Sequence, residues 1–226
     1  MILTNIVLLY TISEEILRER GVLSEYRVFL LFIDYEKENI ISDEYSELRK
    51  ELIFFNEKRN KILFEIIFVL KKLNLKTLLL FQSVEHGLEI EKLFDIPFIS
   101  GNDNEEKRTE EKEKFLKEEG GFLCASNIFK KGVTLPEVQV LINVDGGLED
   151  SNTIQKKGRV LGTTEDKRKS LIIDFFDFYH LYFSEHSKTR LKTYIDSIGE
   201  NNVGILDVSC EDWSETLKKW IKKWFE

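Results

Sequence analysis

The sequence predicts an α/β fold with a mostly parallel sheet and helices packed on both faces. Short runs of isoleucine, leucine, valine and phenylalanine alternate along the chain with longer segments of helical periodicity. Such continuous apolar runs are typical of strands buried on both faces, and parallel strands need long connections between them. The 226 residues are 42% hydrophobic and include only 2 prolines, a composition that supports a full core in a globular chain.

The predicted elements follow one another as strand and helix in turn. A short helix over 13–20 comes first, and a strand over 28–34 (VFLLFID) follows it. The next stretch is helical and is clearest over 56–73, where isoleucine, valine and leucine recur at helical spacing. The remaining core elements are predicted as strand 77–81, helix 84–94, strand 97–100, charged helix 104–119, strands 121–125 and 138–143, helix 151–158 and strand 170–175.

Beyond residue 177 the pattern predicts a small, mainly helical extension. A helix over 181–198 and an edge strand over 203–208 precede a last amphipathic helix over 213–225. That helix has an apolar stripe, which we expect to pack onto the body of the domain. The alternatives are docking of another lobe or protein and, with the least support, stacking on nucleic-acid bases. The stripe consists of Trp213, Leu217, Trp220, Ile221 and Trp224.

Composition excludes several classes of protein. Cys124 and Cys210 stand alone, without CxxC spacing, so we expect neither a disulfide framework nor a zinc site but a reduced, cytoplasmic protein. No apolar stretch reaches the roughly 18 residues that span a bilayer, which predicts no membrane partner. The net charge of −8 argues against nonspecific nucleic-acid binding. Basic clusters at 130–131, 156–159 and 167–169, placed in loops after predicted strands, leave open an acidic body with a basic edge.

The residues directly after each strand are the candidates for a functional site, because ligands of open parallel sheets bind beyond the carboxyl ends of the strands. They include hydroxyl and amide donors, glycines that allow close backbone approach, and an arginine. Such groups suit phosphate oxygens of a nucleotide or a nucleic-acid backbone. The residues at strand ends include Gln82, Ser83, Ser100, Gly101, Ser126, Asn127, Gly132, Thr134, Gln155 and Arg159.

Two other features are assigned structural roles. Asp145, Gly146 and Gly147 follow a strand and are predicted to form a turn. His86 and the other two histidines, His180 and His186, have no partner pattern in the sequence and are treated as structural.

The order of these motifs resembles that of superfamily 2 helicases of the DEAD/DEAH-like type. TLLLF followed by QS, then SGN, then CASN-x(4)-GVT and finally QKKGR is similar to motifs IV, V and VI of the second, C-terminal RecA-like lobe. The segment NEKRN at 56–60 resembles phage helicases of the UvsW type. The resemblance covers residues 11–177 and implies a RecA-like fold, related to that of the P-loop NTPases.

The family implies a role for each matching residue. Gln82, Ser83 and Ser126 match positions that hold the sugar-phosphate backbone, and the neighbouring Ser100, Gly101 and Asn127 join the predicted nucleic-acid-binding set. The nucleotide-binding set is Gly132, Thr134, Gln155 and Arg159. Arg159 is the catalytic candidate, because the resemblance places it against the γ-phosphate of ATP.

Two departures from the family pattern limit what this chain does alone. It has no GxxxxGK[ST] loop and no Asp-Glu pair of the metal-binding kind, so ATP and Mg²⁺ are expected only together with a first RecA-like lobe. Gly162 stands where the family motif Q-R-x-G-R-x-x-R has its last arginine. A missing arginine finger costs on the order of 10³- to 10⁵-fold in rate.

The resemblance therefore predicts the second motor lobe of an ATP-dependent helicase or translocase, in a bacterial or phage-infected cell. Residues 1–27 are expected to be the tail of a first lobe, 28–178 the RecA-like domain and 179–226 an extension packed on it. The expected partners are a single or branched nucleic-acid strand, DNA before RNA, and an N-terminal lobe in cis or in trans. Two alternatives are a catalytically inert binding or regulatory module and another doubly wound cofactor-binding domain, the latter weakened by the lack of GxGxxG.

Overall fold

The computed structural model describes residues 24–34, 44–126, 135–147, 162, 164, 167 and 169–226. Within these residues, seven strands form one sheet in the order β3-β4-β2-β5-β6-β1-β7, and every neighbouring pair is parallel. The predicted fold class is confirmed. The strands are β1 (Glu25–Ile33), β2 (Thr77–Phe81), β3 (Phe98–Ile99), β4 (Phe122–Ser126), β5 (Val140–Asn143), β6 (Lys169–Asp177) and β7 (Val203–Asp207).

Six α-helices accompany the sheet in the described part of the chain. The helical stretch before residue 56 consists of α1 and a π-helical turn over Lys50–Phe54, while a 3-10 turn over Glu200–Asn202 precedes β7. The predicted helices 84–94, 181–198 and 213–225 are confirmed at both ends, whereas the predicted helix 151–158 lies outside the described residues. The helices are α1 (Tyr45–Arg49), α2 (Glu57–Lys72), α3 (Val84–Phe94), α4 (Glu105–Lys117), α5 (Leu181–Ile198) and α6 (Trp213–Phe225).

Three helices begin at a polar residue whose side chain caps the first turn. Asn56, Ser83 and Asn104 each accept a hydrogen bond from the backbone N–H three residues further on. Such caps contribute about 1 kcal/mol each, because they satisfy an N–H that has no partner within the helix. They place the start of α2, α3 and α4 at fixed residues of the sequence.

The core lies on both faces of the sheet, and the strands divide their side chains between the two faces with a period of two. In β1, Phe29 and Leu31 belong to the cluster beneath α2, α3 and α6, whereas Val28 and Leu30 belong to the opposite cluster with side chains of α4 and α5. The apolar runs are therefore explained by burial on both faces.

The C-terminal extension adds to this same sheet. Strand β7 pairs with β1 as an edge strand, so the segment contributes a strand as well as two helices. In α6, Trp213, Leu217, Ile221 and Trp224 are buried in the core, and the expected packing of the stripe onto the body is confirmed. None of the helices among the described residues is both long and apolar enough to cross a membrane.

Candidate functional site

The carboxyl ends of β2, β4 and β3 bring the predicted nucleic-acid-binding residues to one edge of the sheet. Phe81, which precedes Gln82 and Ser83, pairs with Ser126 at the end of β4, and Ile99, which precedes Ser100, pairs with Ala125. The predicted residues Asn127, Gly132, Thr134, Gln155 and Arg159 lie outside the described part of the chain.

The turn after β2 directs its backbone into the protein. The N–H groups of Gln82 and Ser83 both donate to Oδ2 of Asp145, at 2.5 Å and 2.8 Å. The Ser83 hydroxyl accepts from the N–H of His86 at 3.3 Å and caps α3. The Gln82 residue is exposed at the edge. Contact with a ligand at this turn therefore falls to the side chains, since both N–H groups are engaged.

The turn after β3 is closed on itself by a carboxylate. Oδ2 of Asp103 accepts from the N–H of Ser100 at 2.6 Å and from its hydroxyl at 3.0 Å. The N–H of Asn102 in turn donates to the Ser100 hydroxyl at 3.2 Å. Ser100 is buried, whereas Gly101 is exposed, and a Cβ added at Gly101 would meet no atom within 4 Å. Of these two predicted residues, Gly101 is thus the one that faces open space.

Ser126, the last residue of β4, is fully buried. Its hydroxyl makes no hydrogen bond within the part of the chain that the structure describes. A buried hydroxyl without a partner is uncommon in native proteins, because desolvation then costs about 1–3 kcal/mol. Ser126 thus stands at the carboxyl end of β4 with its side chain enclosed, and its nucleic-acid contact stays a prediction.

Asp145 is the central residue of this edge. The sequence predicted only a simple turn at this position and did not reveal the buried carboxylate contacts. The Asp145 carboxylate is 1% exposed and pairs with Nδ1 of His86, while Nη2 of Arg49 donates to it at 3.3 Å. Burial alone would raise the pKa of Asp145, but the hydrogen bond from His86 and the nearby Arg49 charge outweigh it and hold the pKa below its usual value. Asp145 is therefore a buried, ionised acceptor.

His86 is the neutral partner of this carboxylate. Its ring stacks on Phe54 with centroids 4.4 Å apart and meets Phe81 edge-on at 5.1 Å. Its Nε2 has no hydrogen-bond partner among the residues that the structure describes. Burial, together with the nearby Arg59 and Arg49 charges, lowers the pKa of His86 below its usual value despite the opposing effect of the Asp145 carboxylate. The proton therefore resides on Nδ1 and is donated to Asp145. The structural role predicted for His86 agrees with this burial, although its partner was not foreseen.

Two buried arginines hold the backbone around Asp145. Arg59 pairs with Asp177 at 3.0 Å and donates to the carbonyl of Val144 at 2.7 Å. Arg190 donates to the carbonyls of Gly146 at 2.6 Å and Gly147 at 3.0 Å. A carbonyl that receives a charged donor is held more firmly than one that faces a neutral donor. The segment 144–147 is thus fixed from both sides of Asp145.

Gly146 allows this segment to turn. Its φ is +60°, a conformation that strains residues with a side chain, and a Cβ there would lie 2.6 Å from Oδ2 of Asp177. At Gly147 a Cβ would lie 2.8 Å from Oε1 of Gln82, so the segment also packs closely against the Gln82 side chain. The turn after β5 and the turn after β2 are therefore in direct contact.

Two lysines of the predicted basic cluster at 167–169 do not lie in a loop after a strand, while Arg168 lies outside the described residues. Lys169 is the first residue of β6, and Lys167 precedes that strand and is only 6% exposed. The Nζ of Lys167 donates to the carbonyls of Pro136 at 2.8 Å and Gly162 at 2.9 Å, and burial lowers its pKa to about 7. The predicted placement of these two lysines after a strand was wrong, because Lys169 begins β6 and Lys167 is bound to backbone carbonyls before it. Among the described residues no group of three His, Cys, Asp or Glu side chains could hold a metal ion.

The family of the chain follows from a direct match. Residues 43–161 match the helicase conserved C-terminal domain, which is more than half of the chain. The chain belongs to this family. The predicted resemblance to the C-terminal RecA-like lobe of superfamily 2 helicases is confirmed.

Individual relatives agree with this assignment. The ATP-dependent RNA helicase HAS1 of Kluyveromyces lactis is 26% identical over 148 residues, which are 63% of this chain and 29% of HAS1. The crystal structure of T4 UvsW has a TM-score of 0.67 and 21% identity, covering 82% of this chain and 42% of that one. Dbp5 of S. cerevisiae, bound to RNA and ADP BeF3, has a TM-score of 0.62 and 15% identity, covering 92% and 47%. The chain thus spans less than half the length of these relatives.

Proposed function

We propose that this chain is the second motor lobe of an ATP-dependent nucleic-acid helicase or translocase. In this role its carboxyl sheet edge binds the sugar-phosphate backbone, and Arg159 senses the γ-phosphate of ATP held by a first lobe. The observation that carries the proposal is the convergence of Gln82, Ser83 and Gly101 with Ser126 on one edge of a helicase C-terminal fold. The side-chain amide of the exposed Gln82 and the hydroxyl of the half-buried Ser83 suit phosphate and sugar oxygens, and Gly101 allows close approach of the backbone.

The nucleotide half of the proposal rests on sequence positions and on the relatives. Gly132, Thr134, Gln155 and Arg159 match the family's nucleotide-facing motifs. Dbp5, solved with RNA and ADP BeF3, supports a role for this fold beside both ligands. ATP and Mg²⁺ would be held by the phosphate-binding loop of the first lobe, and the relatives are long enough to contain such a lobe.

A second candidate is a catalytically inert module that binds a strand or regulates another protein's first lobe. Gly162 favours it, because the family's second motif VI arginine is absent at this position. The inert module would share the strand-binding edge with the motor lobe. It would differ in giving no ATP hydrolysis when a first lobe is supplied.

The strand-binding edge is tested by placing a negative charge on it. We expect Gln82→Glu to weaken binding of a fluorescent single strand by about tenfold at low salt, because the new carboxylate repels the phosphates. Asn201→Asp makes the same chemical change on an exposed residue beyond the opposite, amino end of the sheet and should leave the dissociation constant within about twofold.

Fluorescence anisotropy with DNA and RNA strands of one sequence gives both affinities. The predicted preference for DNA is tested at the same time, against relatives that are named for RNA. Equal binding by Gln82→Glu and Asn201→Asp would contradict the proposed edge.

A further inference from the structure

We propose that Asp145 is a positioning residue for the binding of a nucleic-acid strand. Its carboxylate fixes the Gln82–Ser83 turn against the segment 144–147. This inference rests on the proposed function of that turn. Asp145 itself is buried and would not touch a bound nucleic-acid strand. It would act through the two residues whose backbone it binds.

The carboxylate contacts three residues in and just after the turn. Oδ2 accepts from the N–H groups of Gln82 and Ser83, and Oδ1 pairs with Nδ1 of His86 one turn further on. The start of α3 is therefore attached to Asp145 through both its backbone and its side chains. Because Ser83 also caps α3, the orientation of its hydroxyl is set by the same group of contacts.

Asp145 is itself held in place by the fixed segment around it. The carbonyls on either side of it, those of Val144 and Gly146, each accept a hydrogen bond from a buried arginine. The contact between Gly147 and the Gln82 side chain adds a second link to the same turn. The position of Gln82 at the edge is thus set from the loop after β5 and not from β2 alone.

An ionised carboxylate satisfies this arrangement at both of its oxygens. Oδ2 accepts from the N–H groups of Gln82 and Ser83 and from Arg49, while Oδ1 accepts from Nδ1 of His86. An asparagine has one acceptor oxygen, so with that oxygen toward Gln82 and Ser83 its NH₂ group faces Nδ1 of His86. The ring can accept there only if its proton moves to Nε2, which has no hydrogen-bond partner among the described residues. A buried donor without an acceptor costs about 1–3 kcal/mol, which would loosen the turn or reorient His86.

The test compares Asp145→Asn with Thr77→Ala. Thr77 is also fully buried, and its hydroxyl donates to the carbonyl of Leu75 at 2.8 Å. It is the first residue of β2 and therefore lies at the opposite end of that strand from the Gln82–Ser83 turn. We expect Asp145→Asn to raise the dissociation constant for a single strand about tenfold and to speed hydrogen exchange at the amides of Gln82 and Ser83 by at least about tenfold. Thr77→Ala should lower stability, because it removes a buried methyl group and hydrogen bond, but should keep the dissociation constant within about twofold.

Arg49→Met provides a second variant if Asp145→Asn does not fold. The Arg49 side chain is 20% exposed and lies at the outer side of the carboxylate. We expect faster exchange at the same two amides and strand binding weakened by about threefold. Unchanged exchange and binding in Arg49→Met would overturn the inference in that case.

The outcomes separate this inference from the proposed function. Faster exchange with wild-type strand affinity in Asp145→Asn would mean that Asp145 supports the fold alone. Equal loss of affinity in Thr77→Ala would mean that binding follows stability. Either result overturns the positioning role. Absence of strand binding by the unaltered chain would overturn the proposed strand-binding edge together with this inference.

Discussion

Replacement of Arg190 by methionine is expected to destabilise the domain by about 3–5 kcal/mol. Arg190 is 1% exposed, and its guanidinium pairs with Asp174 at 3.0 Å while donating to the carbonyls of Gly146, Gly147 and Phe175. Methionine fills much of the volume but leaves the Asp174 carboxylate buried without this cation.

The remaining partners of Asp174 soften this loss but do not remove it. The Asn143 side chain donates to the carboxylate at 3.1 Å and the Tyr194 hydroxyl donates at 2.7 Å, yet neither carries a charge. We also expect the segment 144–147 to loosen, because two of its carbonyls lose a charged donor. The stability loss should therefore be accompanied by weaker strand binding.

Urea unfolding followed by circular dichroism measures the change in free energy. Lys188→Met is the matched control, since it removes a cation from the same helix in an exposed ion pair with Glu185. Exposed pairs contribute little, so this variant should stay within about 1 kcal/mol of the unaltered chain. A similar small change in Arg190→Met would show that the buried pair adds little to stability.

Alanine at Gly87 is the second change with a large expected effect, a loss of roughly 1–3 kcal/mol. A Cβ at Gly87 would lie 2.1 Å from one ring carbon of Phe98 and 2.5 Å from another, far inside van der Waals contact. The Phe98 ring is 1% exposed and meets Phe81 edge-on, so it has little room to move. Alanine is the better helix former by about 1 kcal/mol, and the clash is expected to outweigh that gain.

The clash has a specific rescue. Combining Gly87→Ala with Phe98→Val removes the ring that the new methyl group meets, so the double variant should lose less stability than the sum of the two single changes. Thermal or urea unfolding of the four proteins gives the coupling. Strict additivity, or a Gly87→Ala variant as stable as the unaltered chain, would contradict the close packing of α3 on β3.

The strands and the helix ends were predictable from the sequence because their causes are local. Strand β2 is a continuous apolar run, and Asn56 and Ser83 cap the helices that follow them. The parallel order then places Ser83 and Ser126 at one edge without further information. The family motifs added the prediction that this edge binds nucleic acid.

The buried charges at the edge were not predictable, because their partners are distant in the sequence. Arg49 and Arg59 stand in helices where an arginine is usually solvated, and Asp145 begins what reads as a glycine turn. Only the packed sheet brings Asp145 to His86, 59 residues away, and Arg59 to Asp177, 118 residues away. Lys167 is a parallel case, since a run of basic residues gives no local sign that one stem is buried.

ATP hydrolysis by this chain, alone and joined to a first RecA-like lobe with a phosphate-binding loop, is the most direct test of the motor-lobe proposal. We expect no hydrolysis by the chain alone, and strand-stimulated hydrolysis by the joined protein that falls on the order of 10³-fold in Arg159→Ala. Strand-stimulated hydrolysis by the chain alone would contradict the split site. A joined protein that folds and binds the nucleic-acid strand but hydrolyses no ATP would contradict the motor role. That result would identify the inert module instead.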